Sequence, residues 1–379
     1  MNLSIPVNEP LIGIKEKEYL SDCLKTGWIS SVGKYIDLFE TNWAKFCGKK
    51  YGIAVSNGTA ALQLAVDSLN LSTGDEVIMP SFSIISCVLA VVRNKAVPVL
   101  VDCDPDTWTM DVNQIEKKIT NKTKAIMPVH IYGHPVDMDP VLKIAKKHNL
   151  AIIEDAAEAH GSQYYSKINT AKGKWEKCGS FGTLSIFSFY ANKPVTTGEG
   201  GMVLTNDEKL AERLKSLRNL CFLPNRRFCH EDLGYNFRLT NLQAALGVAQ
   251  IERIDKIIAK KRWIGKQYNK QLMGLPLQLP SEKPWAKNIY WMYGVVLLDK
   301  YNLGARITMA RMKEKGIETR PFFVGMHEQP VFKKMELFKR EKYPTTERIS
   351  RKGFYLPSGL SLTTAQIDYV TQSLREILS

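Results

Sequence analysis

A chain of 379 residues with 44% hydrophobic and 24% charged side chains has the balance of an ordinary globular protein and the length for a large domain with a smaller companion. No run approaches the roughly 20 apolar residues that cross a bilayer, and the opening MNLSIPVNEPLIG lacks the basic and apolar regions of a secretion signal; a cytoplasmic protein without a membrane partner is expected. The net charge of +14 would suit nucleic acid, but it is spread over the chain, and its densest runs, such as Lys260-Lys261-Arg262, fall in amphipathic segments and read as solvated helix faces.

From Asn57 to about Ile251, short apolar runs alternate with helix-length segments. YGIAVS is followed by the polar turn Asn57-Gly58-Thr59 and by AALQLAVDSL, whose Ala61, Leu62, Ala65 and Leu69 fall near helical spacing. DEVIMP, AVPVLVD, KAIMPVHIYG, LAIIEDA, LSIFSFY and GGMVLT follow as further strands. Near-continuous apolar strands separated by helices predict a mainly parallel sheet covered on both faces, hence a large α/β domain over residues 1–250.

Beyond that point the texture changes. A basic helix over Ile251–Leu272 leads into a Pro-rich connector, then NIYWMYGVVLL as a strand, Ile307–Lys315 as a helix and IETRPFF as another strand. Thr363-Thr364-Ala365-Gln366 reads as a capping box ahead of Ile367, Val370, Leu374 and Ile377 on one helical face. Two strands and two helices after one long helix predict a compact α+β domain over 251–379.

Seven scattered cysteines form no CxxC pair and six dispersed histidines form no HExxH, so neither a disulfide framework nor a metal centre is expected. Three other features line up at the carboxyl ends of predicted strands, where open α/β sheets bind ligands. They are the helix start at Asn57-Gly58-Thr59, Asp155 in IIEDAAEAHG, and Lys193 in FSFYANKPVTTGEGG. Singly they would be a turn, a strand-end cap and a solvated charge. Together they are the parts of a pyridoxal 5′-phosphate site. An amine must be neutral to attack the cofactor aldehyde, and a desolvated setting favours that for Lys193. A buried carboxylate, Asp155, keeps the pyridine nitrogen protonated. The phosphate wants amides and hydroxyls at a helix N-terminus, which Gly58, Thr59, Ala60 and Ser188 can supply.

GWISSVGKYIDLFE, SNGTAALQLA, VHIYGHPVDMDP, IEDAAEAHG, FSFYANKPVTTGEGGM and YNFRLTNLQAALGVAQIERID together resemble the DegT/DnrJ/EryC1/StrS family of pyridoxal-phosphate sugar aminotransferases. The resemblance covers nearly the whole chain. It implies the fold of type I aminotransferases, with Lys193 as the cofactor-binding lysine and acid/base, Asp155 at the pyridine nitrogen and Glu158 near the phenolic oxygen. Gly58, Thr59, Ala60 and Ser188 become phosphate ligands, joined by Asn236 from the second subunit of a homodimer with shared active sites. Gly198, Gly200 and Gly201 shape the turn behind the lysine.

Within the family, GWISS, FSFYANKPVTTGEGGM and FFVGMH are similar to the members that move an amino group from L-glutamate to C4 of GDP-4-keto-6-deoxymannose, giving GDP-perosamine; UDP- and dTDP-4-keto-6-deoxy sugars are the alternatives. On the same ground Trp28, Ser30, Arg238 and His327 are expected near the substrate. Arg226, Arg227 and Arg320 are further basic candidates for a diphosphate. Two features depart from the family pattern. Ile84 stands where an aromatic residue commonly stacks on the pyridine ring, and YYSKINTAKGKWEKCGSFG is longer than the usual link between the Asp and Lys strands. A regulatory or nucleic-acid-binding protein on this fold would leave the three anchors unexplained, and no helix-turn-helix, zinc-finger or RRM-like segment is present; no nucleic-acid partner is expected.

Overall fold

The computed structural model describes residues 4–168, 172–223, 225–299, 301 and 303–379. Helices α1 (Ile14–Thr26) and α2 (Lys34–Cys47) precede an alternation of β1 (Tyr51–Val55), α3 (Gly58–Ser68), β2 (Glu76–Pro80), α4 (Ile85–Arg93), β3 (Val97–Val101), β4 (Thr123–Ile126), α5 (Met138–His148) and β5 (Ala151–Asp155). Then come β6 (Gln163–Ser166), β7 (Lys174–Lys177), β8 (Leu184–Ser188), β9 (Gly201–Thr205) and α6 (Glu208–Arg218).

Seven of these strands make one sheet in the order β1-β9-β8-β5-β4-β2-β3. Strand β9 is antiparallel to both of its neighbours, and the other pairings are parallel. Successive residues feed two separate cores, as sheet pleating requires. Ile53, Ile186 and Val203 pack with α3 and α6 residues such as Leu64 and Leu214. Their neighbours Ala54, Phe187 and Met202 pack with Phe39 and Trp43 of α2. Both faces are covered, which is why these strands read as apolar runs.

Parallel direction puts the last residues Val55, Pro80, Asp155 and Ser188 on one edge of the sheet. Strand β9 starts there, with Gly201 opposite both Val55 and Ser188. A Cβ on Gly201 would lie 2.3 Å from the Asn57 carbonyl oxygen, so only glycine lets β9 begin this close to the turn after β1.

Some predicted elements are shorter than the sequence suggests. The strand in KAIMPVHIYG stops at Ile126, just before Pro128 removes a ladder donor. Ile131–Gly133 is instead a tight 3₁₀ turn with Tyr132 at φ 52°. The long segment after Asp155 is a β6–β7 hairpin, whose third strand is β11 (Ala286–Lys287) from the C-terminal part of the chain.

That part begins with α7 (Asn241–Ile251) and α8 (Ile254–Leu272), followed by β10 (Leu277–Gln278), β11, β12 (Tyr293–Leu297) and α9 (Ala305–Glu314). It ends with β13 (Arg320–Pro321), α10 (Pro330–Lys334), α11 (Pro344–Lys352), β14 (Gly353–Leu356) and α12 (Thr364–Leu378). The antiparallel sheet β10-β12-β14-β13 has four strands where the sequence suggested two. β12 and β13 fall within the two predicted strands; β10, the third, is two residues long and carries no period to read, and β14, the fourth, follows α11 directly, without a turn signal. The capping box of α12 forms as predicted: the Gln366 amide donates to Thr363 Oγ1 at 3.2 Å and the Thr363 amide to Gln366 Oε1 at 3.0 Å. Ile367, Val370, Leu374 and Ile377 then pack on Val295 and Phe354.

The basic run in α8 is not a solvated face. Lys261 is 1% exposed and donates to the carbonyls of Trp291 and Ser358. Lys260 donates to the Leu362 carbonyl, and Arg262 pairs with Glu282. Among the described residues, no helix is long and apolar enough to cross a membrane.

Candidate active site

A cavity of about 700 Å³ opens at the carboxyl edge of the large sheet, and Gly58, Thr59, Ala60, Ile84, Asp155, Glu158, Ser188 and Lys193 all line it. One corner of it is built by the start of α3. The Asn57 side chain caps the helix by accepting from the Ala60 amide at 2.8 Å. The amides of Gly58 and Thr59, in the first turn, have no acceptor within the helix. A Cβ on Gly58 would sit 2.7 Å from Ser188 Cβ, so glycine brings this turn against β8. The hydroxyls of Thr59 and Ser86 lie 2.8 Å apart in the same corner.

Asp155 ends β5 and is 2% exposed. Its Oδ1 accepts from the Ala157 amide at 3.0 Å and its Oδ2 from the Cys87 thiol at 3.2 Å. Burial pushes its carboxyl up, while the Ala157 amide, the Cys87 thiol and the Lys193 charge hold it down. The adjacent Glu154 points to the other side of the strand and is structural. Its oxygens accept from the amides of Gly179, Phe181 and Gly182, the Ser185 hydroxyl and His130. His130 Nδ1 accepts from the Val136 amide at 2.9 Å, so both ring nitrogens are used. Of the buried group His130, Glu154 and Cys178, the histidine and the carboxylate thus already bond within the protein.

Lys193 follows β8 in a tight turn, with its side chain 9% exposed and Nζ 3.7 Å from Glu158 Oε1. Burial lowers its pKa, opposed by the charges of Glu158 and Asp155. Burial raises that of Glu158, whose Oε2 accepts from the Tyr132 amide at 2.7 Å. The left-handed Tyr132 aims that amide at the carboxylate. A desolvated amine, a buried carboxylate with acceptor capacity left and a cradle of amides and hydroxyls thus share one cavity. That donor set fits the aldehyde, ring nitrogen and phosphate of pyridoxal phosphate.

The other candidate residues lie elsewhere. Asn236 does not line its own chain's cavity; its Oδ1 accepts from Arg238 Nε at 2.9 Å, and Arg238 also donates to Asn219 Oδ1 at 2.8 Å. Trp28 is exposed, and the carbonyls of Trp28 and Ser30 accept from Asn241 at the start of α7. His327 is buried beside a second cavity of about 360 Å³, with Nε2 3.3 Å from Glu347 Oε1. Arg226 pairs with Glu231 and Arg320 with Glu318. Ile84 lines the main cavity as the residue before α4. Sequence reasoning missed Ser86, Asn192, Trp291, Phe323 and Tyr355, which also line it. Tyr355 reaches the site from β14 of the small sheet and Trp291 from the turn before β12, a packing that no local pattern announces.

A mainly parallel seven-stranded sheet with this lysine, carboxylate and anion cradle at its carboxyl edge defines an aminotransferase of fold type I. The chain belongs to the DegT/DnrJ/EryC1/StrS aminotransferase family, whose model matches residues 10–375. It is 43% identical to GDP-perosamine synthase of Escherichia coli O157:H7 over 375 residues, covering 99% of each chain. It is 38% identical to GDP-perosamine synthase of Vibrio cholerae over 371 residues, 98% of each. DesV of S. venezuelae, solved in complex with a ketimine intermediate, is 32% identical and superposes with a TM-score of 0.87 over 96% of this chain and 94% of that one.

Proposed function

We propose that this protein is a pyridoxal-phosphate-dependent aminotransferase that moves the amino group of L-glutamate to C4 of GDP-4-keto-6-deoxymannose, giving GDP-perosamine. The observation that carries the reading is Lys193 buried in one cavity with Asp155, in a chain similar over nearly its full length to GDP-perosamine synthases. When bound, the cofactor supplies an aldehyde to carry the amino group and a ring to take up the electron pair of the donor's Cα–H bond. Asp155 holds the proton on the ring nitrogen. With the cofactor held there, the Lys193 amine would take the proton from the donor's Cα and return it on the other side of the transfer. Glu158 and the burial of Lys193 pull its pKa in opposite directions, which keeps the amine able to do both. The start of α3 fixes the phosphate and so the angle of the ring.

The sugar is tested by assaying GDP-, UDP- and dTDP-4-keto-6-deoxy sugars with glutamate. Ping-pong kinetics and the highest kcat/KM for the GDP compound are expected, because a sugar held off-angle slows proton transfer steeply. A clearly higher kcat/KM for a UDP or dTDP sugar would replace the GDP assignment and leave the aminotransferase reading intact.

The working unit in this reading is a homodimer in which Asn236 serves the partner's phosphate corner, in keeping with its place outside its own cavity. Asn236→Ala alone is expected to weaken cofactor binding. Lys193→Ala chains mixed with Asn236→Ala chains should regain one intact site per heterodimer, roughly a quarter of wild-type activity after random reassortment. Mixed dimers no more active than their parents would rule out sharing through Asn236.

A further inference from the structure

Lys193 does not rest on Glu158 alone. Its Nζ lies 3.6 Å from the centroid of the Trp291 ring, and the Trp291 indole N–H donates to the carbonyl of Asn192, the residue before the lysine, at 2.8 Å. One side chain therefore touches both ends of the catalytic lysine: the amine through its π face and the backbone through its N–H. Asn8 Nδ2 donates to the same Asn192 carbonyl at 2.7 Å, which pins the turn from a second direction.

The backbone of Trp291 is itself tightly held. Lys261 Nζ donates to its carbonyl at 2.9 Å. Tyr290 before it adopts φ 52°, with its amide donating to Asn288 Oδ1 at 2.7 Å. A Cβ on Gly133 would stand 3.0 Å from the Trp291 amide nitrogen, so the Tyr132–Gly133 turn closes on it from the large-sheet side. Burial lowers the pKa of Lys261 to about 7, a cost in keeping with a lysine retained to hold carbonyls in place. Trp291 is 4% exposed, yet it lines the cavity.

We propose that Trp291 is the positioning residue of the catalytic lysine, its ring forming the floor on which the Lys193 amine rests and its indole N–H fixing the turn that carries it. The proposal rests on the reading of Lys193 given above. An aromatic face attracts a cation, so Trp291 favours the ammonium form of Lys193, alongside Glu158 at 3.7 Å and the more distant Asp155. Burial opposes them. Cys87, His160, Tyr132, whose ring stacks on Trp291, and Tyr355 are other titratable side chains packed around this corner. The ring also occupies the space on one side of Nζ, 3.6 Å away, while Glu158 stands 3.7 Å from the same atom.

The test uses the full chain, stripped of cofactor and supplied with pyridoxal phosphate across a pH series, with borohydride trapping and peptide mass mapping of the label on Lys193. Trp291→Phe keeps the ring, and its labelling midpoint is expected to stay near the wild type. Trp291→Leu and the longer, unbranched Trp291→Met remove the π face, so the amine should lose its proton at lower pH, moving the midpoint down by roughly one unit. In the same variants kcat should fall by more than KM for the sugar rises. A Leu or Met variant that folds and titrates like the wild type overturns the proposal, as does an equal shift in Phe and Leu. Absence of label on Lys193 in the wild type would instead overturn the aminotransferase reading itself.

Discussion

Lys193→Ala is expected to leave a folded chain that forms no borohydride-stable bond to pyridoxal phosphate and transaminates at least ~10⁴-fold more slowly. Two roles vanish at once, the covalent hold on the cofactor and the proton transfer at Cα, and no neighbouring group replaces either. The other buried lysines among the described residues are Lys49 and Lys261. Lys49 donates to the Gly182 carbonyl and Lys261 to those of Trp291 and Ser358, and neither lines the cavity. Peptide mapping of the reduced wild-type enzyme should therefore place the pyridoxyl group on Lys193; finding it on Lys261 or any other lysine defeats the assignment. The Ala variant should also lose the charge that opposes the rise of the Glu158 pKa, so that Glu158 becomes harder to ionise.

Asp155→Asn is expected to keep the shape of the site and much of its cofactor binding, yet lose about 10²–10⁴-fold in kcat. The amide is nearly isosteric with the carboxylate and can still accept from the Ala157 amide through one oxygen. What disappears is the buried charge. Without it the ring nitrogen gives up its proton and the electron pair released from Cα has a poorer acceptor. Steady-state kinetics, with absorbance to confirm bound cofactor, decide the matter. Near-normal turnover would remove Asp155 from the mechanism.

The residues legible in sequence share one property: each sits on a local signal in the first part of the chain. Asn57-Gly58-Thr59 marks a strand-to-helix turn, Asp155 ends an apolar run, and Lys193 lies between a strand and a glycine-rich turn, so topology alone sends all three to one edge. Glu154 shows how fine that signal is. One residue from Asp155 and equally acidic, it faces the other way and is consumed by backbone amides. Trp291 was invisible for a different reason. It stands within what reads as a long strand, NIYWMYGVVLL, whereas β12 starts only at Tyr293 and the residues before it form a left-handed turn. Lys261 looked like part of a wet helix face because composition cannot tell a solvated lysine from one that spends its donors on carbonyls. The chemistry of the residues paired Lys193, Asp155 and the start of α3 with cofactor atoms, and the resemblance to a family added Glu158 and Asn236, which no local signal marks.

The three-stranded assembly of β6, β7 and β11 bears on how the site exchanges its reactants. The C-terminal part of the chain lends a strand to a hairpin rooted beside Asp155. It also docks the start of α11 on Asp102, whose oxygens accept from the amides of Thr345 and Thr346 at 3.0 Å. A rotation that swung the small sheet away from the cavity would have to tear that ladder and unseat a buried carboxylate, or drag the hairpin with it. Trp291 and Tyr355, which line the cavity from the C-terminal part of the chain, thus belong to a part joined to the large sheet at two points outside the cavity, so the walls that donor and sugar meet in this reading are anchored away from the site itself.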